Sequence, residues 1–193
     1  MSRLPRLRRT DKAMTPEAAL ALLQRGFCGR LATIGADGYP YCIPLLYVWM
    51  DDLVFVHSTG ARGHLRANIE HDARVCFEVD EPGEVFGYGR FECDSSLAYQ
   101  SVVLFGTIRI VDDRDTKHQF CEALMAKYAA AEQGRPTGFF PRIDQITVYA
   151  IAAERVTGKE TPLPDASRRW PSVDRTMTPW VQAPVQHPAV ETS

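Results

Sequence analysis

The alternation of apolar and polar positions along the chain predicts a mainly β protein, a β-barrel with peripheral helices. Thr15, Pro16 and Glu17 stand in the order of an N-cap, a first-turn proline and an acidic first turn, and residues 18–23 carry a helix on to Gly26, which stops it. Residues 27–34 then have strand periodicity, with Arg30 and Ala32 on one face and Leu31 and Thr33 on the other. Ala36, Asp37 and Gly38 form a turn into residues 39–49, an aromatic and β-branched run whose Pro40 and Pro44 mark an edge, a bulge or a bend. Met50, Asp51 and Asp52 read as a tight turn and residues 53–57 as the second strand of a hairpin.

Farther along, Leu65 and Ile69 have helical spacing, and the helix runs to His71 and Asp72. Residues 73–79 form a strand that Asp80, Glu81, Pro82 and Gly83 end; a loop carrying a brief strand at 85–91 follows. Residues 99–111 are a long strand with Ser101, Val103, Phe105 and Thr107 on one face. Residues 115–128 are a helix with Phe120, Leu124 and Tyr128 on one stripe, and 146–156 the last strand. Antiparallel strands in this number close most readily into a barrel, which removes exposed edges.

A chain of 193 residues with 45% hydrophobic content builds one core. The expected organisation is a basic arm over 1–13, a barrel domain over 14–160, and an extension over 161–193 in which prolines recur without helical period. A formal charge of −2 argues against a general nucleic-acid binder, and Arg3, Arg6, Arg8 and Arg9 read as a solvated tail. The absence of a long apolar run or a secretory leader points to a soluble, cytoplasmic protein with no membrane partner. Cys28, Cys42, Cys76, Cys93 and Cys121 are odd in number and contain no C-x-x-C pair, so they read as small packing residues. His57, His64 and His71 recur every seventh residue, but His57 lies outside the helix bearing the other two, and no metal site is expected.

The candidate chemistry lies after the hairpin. Ser58, Thr59, Gly60, Ala61, Arg62, Gly63 and His64 place small residues and cations at the opening turn of a helix, where free N–H groups and the dipole favour an anion. Ser58, Thr59, Arg62 and His64 are expected to converge on one phosphate; a capped surface helix with solvated cations is the alternative. No G-x-G-x-x-G follows a strand, so no nicotinamide site is indicated.

Taken in order, residues 29–33 (GRLAT), 38–47 (GYPYCIPLLY), 55–58 (FVHS), 74–79 (RVCFEV) and 101–106 (SVVLFG) resemble the FMN-binding split barrels of the pyridoxamine-phosphate-oxidase-like superfamily, and most closely its nitroimidazole-resistance branch. The resemblance implies an FMN-dependent oxidoreductase that is a homodimer with flavin at the subunit interface. It implies that Ser58, Arg62 and His64 hold the phosphate and that Pro44, Leu45 and Tyr47 hold the ring. His57 would lie beside the flavin as a hydrogen-bond partner or proton donor, and is the one catalytic candidate; Arg30 and Ser101 would reach the ring, ribityl or phosphate portion. Cys42 and Tyr47 stand where the oxidase itself carries arginine and lysine, which counts against pyridoxamine-phosphate oxidation. The electron acceptor implied is a small organic molecule, nitro-aromatic compounds among the candidates. A flavin-binding or sensing module without turnover, and a barrel that has exchanged its ligand for haem or a deazaflavin, are the alternatives.

Overall fold

In the computed structural model, which describes residues 6–89, 91, 93–129, 138–165 and 168–169, seven strands form one antiparallel sheet. They are β1 (Gly29–Ile34), β2 (Pro40–Leu45), β3 (Tyr47–Met50), β4 (Leu53–Thr59), β5 (Arg74–Gly87), β6 (Ser95–Val111) and β7 (Ile146–Thr161); the helices are α1 (Pro16–Arg25), α2 (His64–His71) and α3 (Arg114–Tyr128). Across the sheet the order is β2-β1-β5-β6-β7-β4-β3. The two outermost strands are consecutive in the chain and only Leu46 separates them, so the sheet must curl until its ends approach. This is the mainly β barrel with peripheral helices that the pattern predicts.

The run 39–49 is two strands rather than one. Its first half pairs with β1, from Ile34 opposite Pro40 to Gly29 opposite Leu45, and its second half pairs with β4, from Tyr47 opposite Val56 to Met50 opposite Leu53. Pro44 has no N–H to donate to a second neighbour, and past Leu45 the chain changes partners. Asp51 and Asp52 have φ of 52° and 59°, the double left-handed turn whose twist matches a two-residue hairpin.

The Pro82-Gly83 signal does not end β5. A register shift between Pro82 and Val85 absorbs it as a bulge, and the strand continues to Gly87 because β6 pairs with it on both sides of the irregularity. The expected loop strand at 85–91 is thus the tip of a long hairpin, and β7 likewise runs on to Thr161 against β6. At a second shift, beside Gly106, a Cβ would lie 2.0 Å from the Ala152 carbonyl oxygen, so no side chain fits.

Two apolar layers hold these elements. Inside the barrel, Leu31, Val54, Val56, Phe77, Val79, Val102, Leu104 and Ile151 pack with Leu22 and Leu23 of α1 and Leu65 and Ile69 of α2. On the outer side of β3, β4 and β7, α3 lays Phe120 and Leu124 over Val48, Phe55, Val148 and Ala150. Each fully buried side chain of this size contributes roughly 1.5–3 kcal/mol. Side chains cap the starts of α1 and α3: Thr15 Oγ1 accepts from Ala18 N at 3.2 Å, and Asp113 accepts from Thr116 N at 2.8 Å.

The cysteines depart from the expectation of core packing. Cys121 is buried, but Cys28 and Cys76 are half-buried and Cys42 and Cys93 exposed; all five are free thiols. At the N-terminus, Arg9 pairs with Asp11, and the chain is tied to β7 from Ala13 onward. Trp170, Trp180 and the rest of the Pro-rich extension past Arg169 lie outside the described residues. No described helix is long and apolar enough to cross a membrane.

Candidate functional site

Successive strand residues point to opposite faces, so His57 and Ser58 cannot share a ligand from the same side of β4. His57, opposite Val148, lies on the face that α3 covers, its ring 5.5 Å from that of Phe120. Its Nδ1 is enclosed and has no hydrogen-bond partner among the described residues. Burial pushes the imidazole below its usual pKa, so it is neutral at neutral pH. Ser58 turns into the barrel end, where its Oγ donates to the Thr59 carbonyl at 3.1 Å and lies 3.1 Å from the Tyr149 hydroxyl.

The turn that follows is open but not assembled. Gly63 is the N-cap of α2 and supplies no side-chain cap, and a Cβ there would meet nothing within 4 Å. The first-turn N–H groups therefore face free space at the positive end of the helix. Arg62, however, is forked onto Glu70 at 2.7 and 2.9 Å, and Arg66 bonds the same carboxylate at 3.0 Å. Those two guanidiniums, Arg62 foremost, hold the Glu70 carboxyl below its usual pKa. Ser58 and Thr59 are joined by the bond just given, but among the described residues no hydrogen bond or ion pair links either of them to Arg62 or His64, and Arg62 is turned to Glu70 instead.

Arg30, Pro44 and Ser101 do share a surface. Pro44 lies opposite Arg30, Arg30 opposite Glu78, and Ser101 opposite Asp80, so the three sit on the outer face of β2, β1, β5 and β6. Arg30 donates to Glu78 at 2.9 Å and also to Asp80, while Ser101 Oγ reaches the Lys159 carbonyl at 3.5 Å. Neighbouring positions of this face include Ala32, Cys76, Val103 and Phe105, all only half-buried. The edge strand β2 pairs on one side only, with β1, and leaves a row of backbone groups unpaired.

Leu45 and Tyr47 face the interior instead. Leu45 is half-buried against the core, whereas Tyr47 is 0% exposed, edge-on to Phe77 at 5.1 Å, with its hydroxyl donating to the Leu23 carbonyl at 2.7 Å. Desolvation raises the phenol's pKa. Tyr47 is a packing residue, and the expectation that it touches a ring is corrected: at the point where β2 passes into β3, its side chain falls on the inner face.

A cleft of about 430 Å³ lies between the β1–β2 turn and α2, lined by Asp37, Tyr39, Tyr41, His64 and Asn68 among others. Sequence reasoning placed only His64 in a site. Tyr39 and Tyr41 read as strand aromatics and Asp37 as a turn residue; the available signal was Asn68, four residues after His64 and thus on its side of the helix. Lys127, whose Nζ is buried 3.8 Å above the Tyr47 ring, was passed over although it stands seven residues after Phe120 and so within the stripe of α3, where a lysine reads as a break in the apolar pattern.

The family profile described as pyridoxamine 5′-phosphate oxidase matches residues 15–160. No curated protein matches the chain. Among solved structures, an FAD-binding protein from Mesorhizobium loti is 25% identical with a TM-score of 0.56, over 78% of this chain and 97% of that one. An FAD- and haem-binding protein from Mycobacterium smegmatis is 21% identical with a TM-score of 0.67, over 93% and 90%. A candidate 5-nitroimidazole antibiotic resistance protein from Bacteroides thetaiotaomicron is 16% identical with a TM-score of 0.63, over 76% and 85%. The last two likenesses speak to the fold.

Proposed function

This chain belongs to the pyridoxamine 5′-phosphate oxidase family, and on that premise we propose that it is a flavin-binding oxidoreductase, acting as a homodimer, that delivers electrons to a small organic acceptor such as a nitro-aromatic compound. FMN is the minimal cofactor this reading requires. When bound, the flavin supplies the redox chemistry, and the chain supplies binding, orientation and electrostatics.

The observation that carries the reading is the one-sided pairing of β2, which leaves backbone donors and acceptors beside Pro44 for the polar edge of a heteroaromatic ring. The residues present fit such a group in other respects. The uncapped first turn of α2 offers amides to a phosphate, and Arg62 can exchange an exposed carboxylate for it at little expense, because a solvated ion pair contributes little. His57 presents an enclosed, unpartnered Nδ1, and a buried polar atom without a partner is uncommon away from functional sites. With its pKa lowered, His57 serves as a neutral hydrogen-bonding group rather than a standing proton donor.

A second copy of the chain explains the outer face of β2, β1, β5 and β6, where Arg30, Pro44 and Ser101 lie among half-buried apolar side chains with no described helix over them. Covering that face would bring the second protomer against the ring-binding edge. Five free thiols suit a reducing cytoplasmic compartment, and the net charge gives no reason to add nucleic acid as a partner.

The test is direct. Purified protein is stripped, titrated with FMN and FAD by fluorescence quenching, and sized by light scattering. The loaded protein is then reduced and mixed with a panel of nitro-aromatic and quinone acceptors in a stopped-flow instrument. Reoxidation faster than that of free flavin supports the oxidoreductase, whereas reoxidation no faster with any acceptor would leave a binding module. Failure to bind either flavin removes the reading.

A further inference from the structure

The cleft between the β1–β2 turn and α2 is not needed for any part of the reading above except His64. Its chemistry is asymmetric. Tyr39, Tyr41 and His64 supply aromatic walls; the rings of Tyr41 and His64 stand 5.9 Å apart, tilted by 40°, and Tyr39 is 76% exposed with no ring contact among the described residues. Asn68 is 8% exposed and aimed at the cleft from α2. Thr33 donates its hydroxyl to the Tyr41 carbonyl at 3.5 Å, which leaves Thr33 Oγ1 to accept from Asn68 Nδ2 at 3.0 Å. That fixes the amide's orientation and leaves Asn68 Oδ1 as an acceptor with no donor among the described residues.

The second polar group is Asp37. Its Oδ1 accepts from Tyr39 N at 3.0 Å and, as a carboxylate oxygen, keeps a further lone pair. Gly35 lets the two groups approach: a Cβ built there would fall 2.6 Å from Asp37 Oδ1 and 3.4 Å from Asn68 Oδ1. Two acceptors thus face one space, and one of them is a carboxylate. A phosphate is repelled there, whereas hydroxyl and amino donors are attracted. A planar group bearing such donors, and tethered to an anion at the neighbouring start of α2, meets every one of these conditions. Its size agrees as well, since about 430 Å³ falls within the range of about 300–1,000 Å³ common to small-molecule clefts.

We propose that this cleft receives the nucleoside half of a flavin dinucleotide, the base against Tyr39, Tyr41 and His64 and the ribose or amino donors on Asp37 and Asn68, so that the chain selects FAD over FMN. This rests on the flavin reading, with His64 at the boundary where the phosphates lie. The carboxylate meets the sugar rather than the phosphates, the same division of labour by which an acidic residue takes a ribose hydroxyl in dinucleotide folds. Asn68 can offer only its oxygen, so adenine is bound at one point of its edge and not by a two-point amide contact.

The experiment measures dissociation constants of FMN and FAD for the stripped full-length protein by flavin fluorescence, alongside Tyr39→Ala and Asp37→Asn. Tyr39 is mostly exposed and Asn retains an acceptor oxygen for the turn, so both variants should fold, which circular dichroism checks. FAD should bind about tenfold or more tightly than FMN, and Tyr39→Ala should erase most of that difference while moving the FMN constant less than about twofold. Equal affinity for the two flavins, or tighter FMN, overturns the inference and leaves the flavin reading intact. A preference for FAD that neither variant reduces also overturns it, because the nucleoside then lies elsewhere. Loss of binding to both flavins in the unaltered protein overturns the inference together with the reading beneath it.

Discussion

Lys127 on α3 gives a prediction whose sign and size both follow from the structure. Its Nζ is buried without a hydrogen-bond partner among the described residues, 3.8 Å from the centre of the Tyr47 ring and 5.3 Å from that of Tyr128. Burial lowers the ammonium's pKa from 10.5 to about 8. Between those values the unfolded chain binds the proton more tightly than the folded one, so folding stability rises with pH through that window. Below about pH 8 the whole penalty is present. At about 1.36 kcal/mol per pH unit its upper limit is about 3 kcal/mol. The side chain is only half-buried, and solvent screening reduces the figure to about 1–2 kcal/mol. Attraction to the Tyr47 ring acts in the opposite direction by about 0.5–1 kcal/mol. Lys127→Met, which keeps the packing stem and removes the charge, should therefore raise stability at pH 7 by about 1 kcal/mol. The gain should fade to nothing as the pH passes 10.5. Urea unfolding of both proteins at a fixed protomer concentration, stripped of flavin, at several pH values from 6 to 11 measures it, and groups common to both cancel in the difference. A methionine variant that is less stable at pH 7, or a difference that does not change with pH, would refute the reasoning: the ring would then outweigh desolvation, or the ammonium would reach water.

Three further outcomes are expected. Gly106→Ala drives a Cβ to 2.0 Å from a backbone oxygen that neighbouring strands hold in place, and should destabilise by about 3 kcal/mol or more, read as a depressed melting temperature or loss of soluble protein; a melting temperature within about 2 °C of the original would contradict the close approach of β6 and β7. Tyr47→Phe removes the donor to the Leu23 carbonyl and should cost about 1–2 kcal/mol in chemical unfolding while leaving flavin affinity alone, the reverse of what a ring contact requires. Glu70→Gln releases Arg62 and Arg66 and should tighten flavin binding about threefold at low salt, less at high salt; titrations at two ionic strengths that show no change would place the phosphate away from Arg62.

How far the site was legible depends on the range of the interactions involved. The turn at 58–64 was read because its signals are local: small residues, then cations, then a helix. Where those cations point was not, since Glu70 reaches back across two turns of α2 to take both Arg62 and Arg66. Tyr47 was misplaced by grouping it with Pro44: the alternation runs unbroken through Leu45 and Leu46 and puts Tyr47 inside with Leu45, while Pro44 signalled a change of pairing partner without saying which strands it would join. The bulge at Pro82 is a related case: a strong local stop was overridden by pairing with a strand that begins only at Ser95.

The chain's own order of residues determined the caps of α1 and α3, the tight turn at Asp51 and Asp52, the alternation that puts Leu31 inside and Arg30 outside, and the mainly β class, because each is set by groups within a few positions of one another. Tertiary structure alone decided that the two halves of 39–49 lie at opposite ends of the sheet order, that α3 covers the face of β4 that bears His57, and that Asp37, Tyr39 and Asn68 line one cleft. Those outcomes depend on which strands pair and on how the closed sheet brings a turn against a helix, and chain closure over such separations leaves no mark in a local pattern.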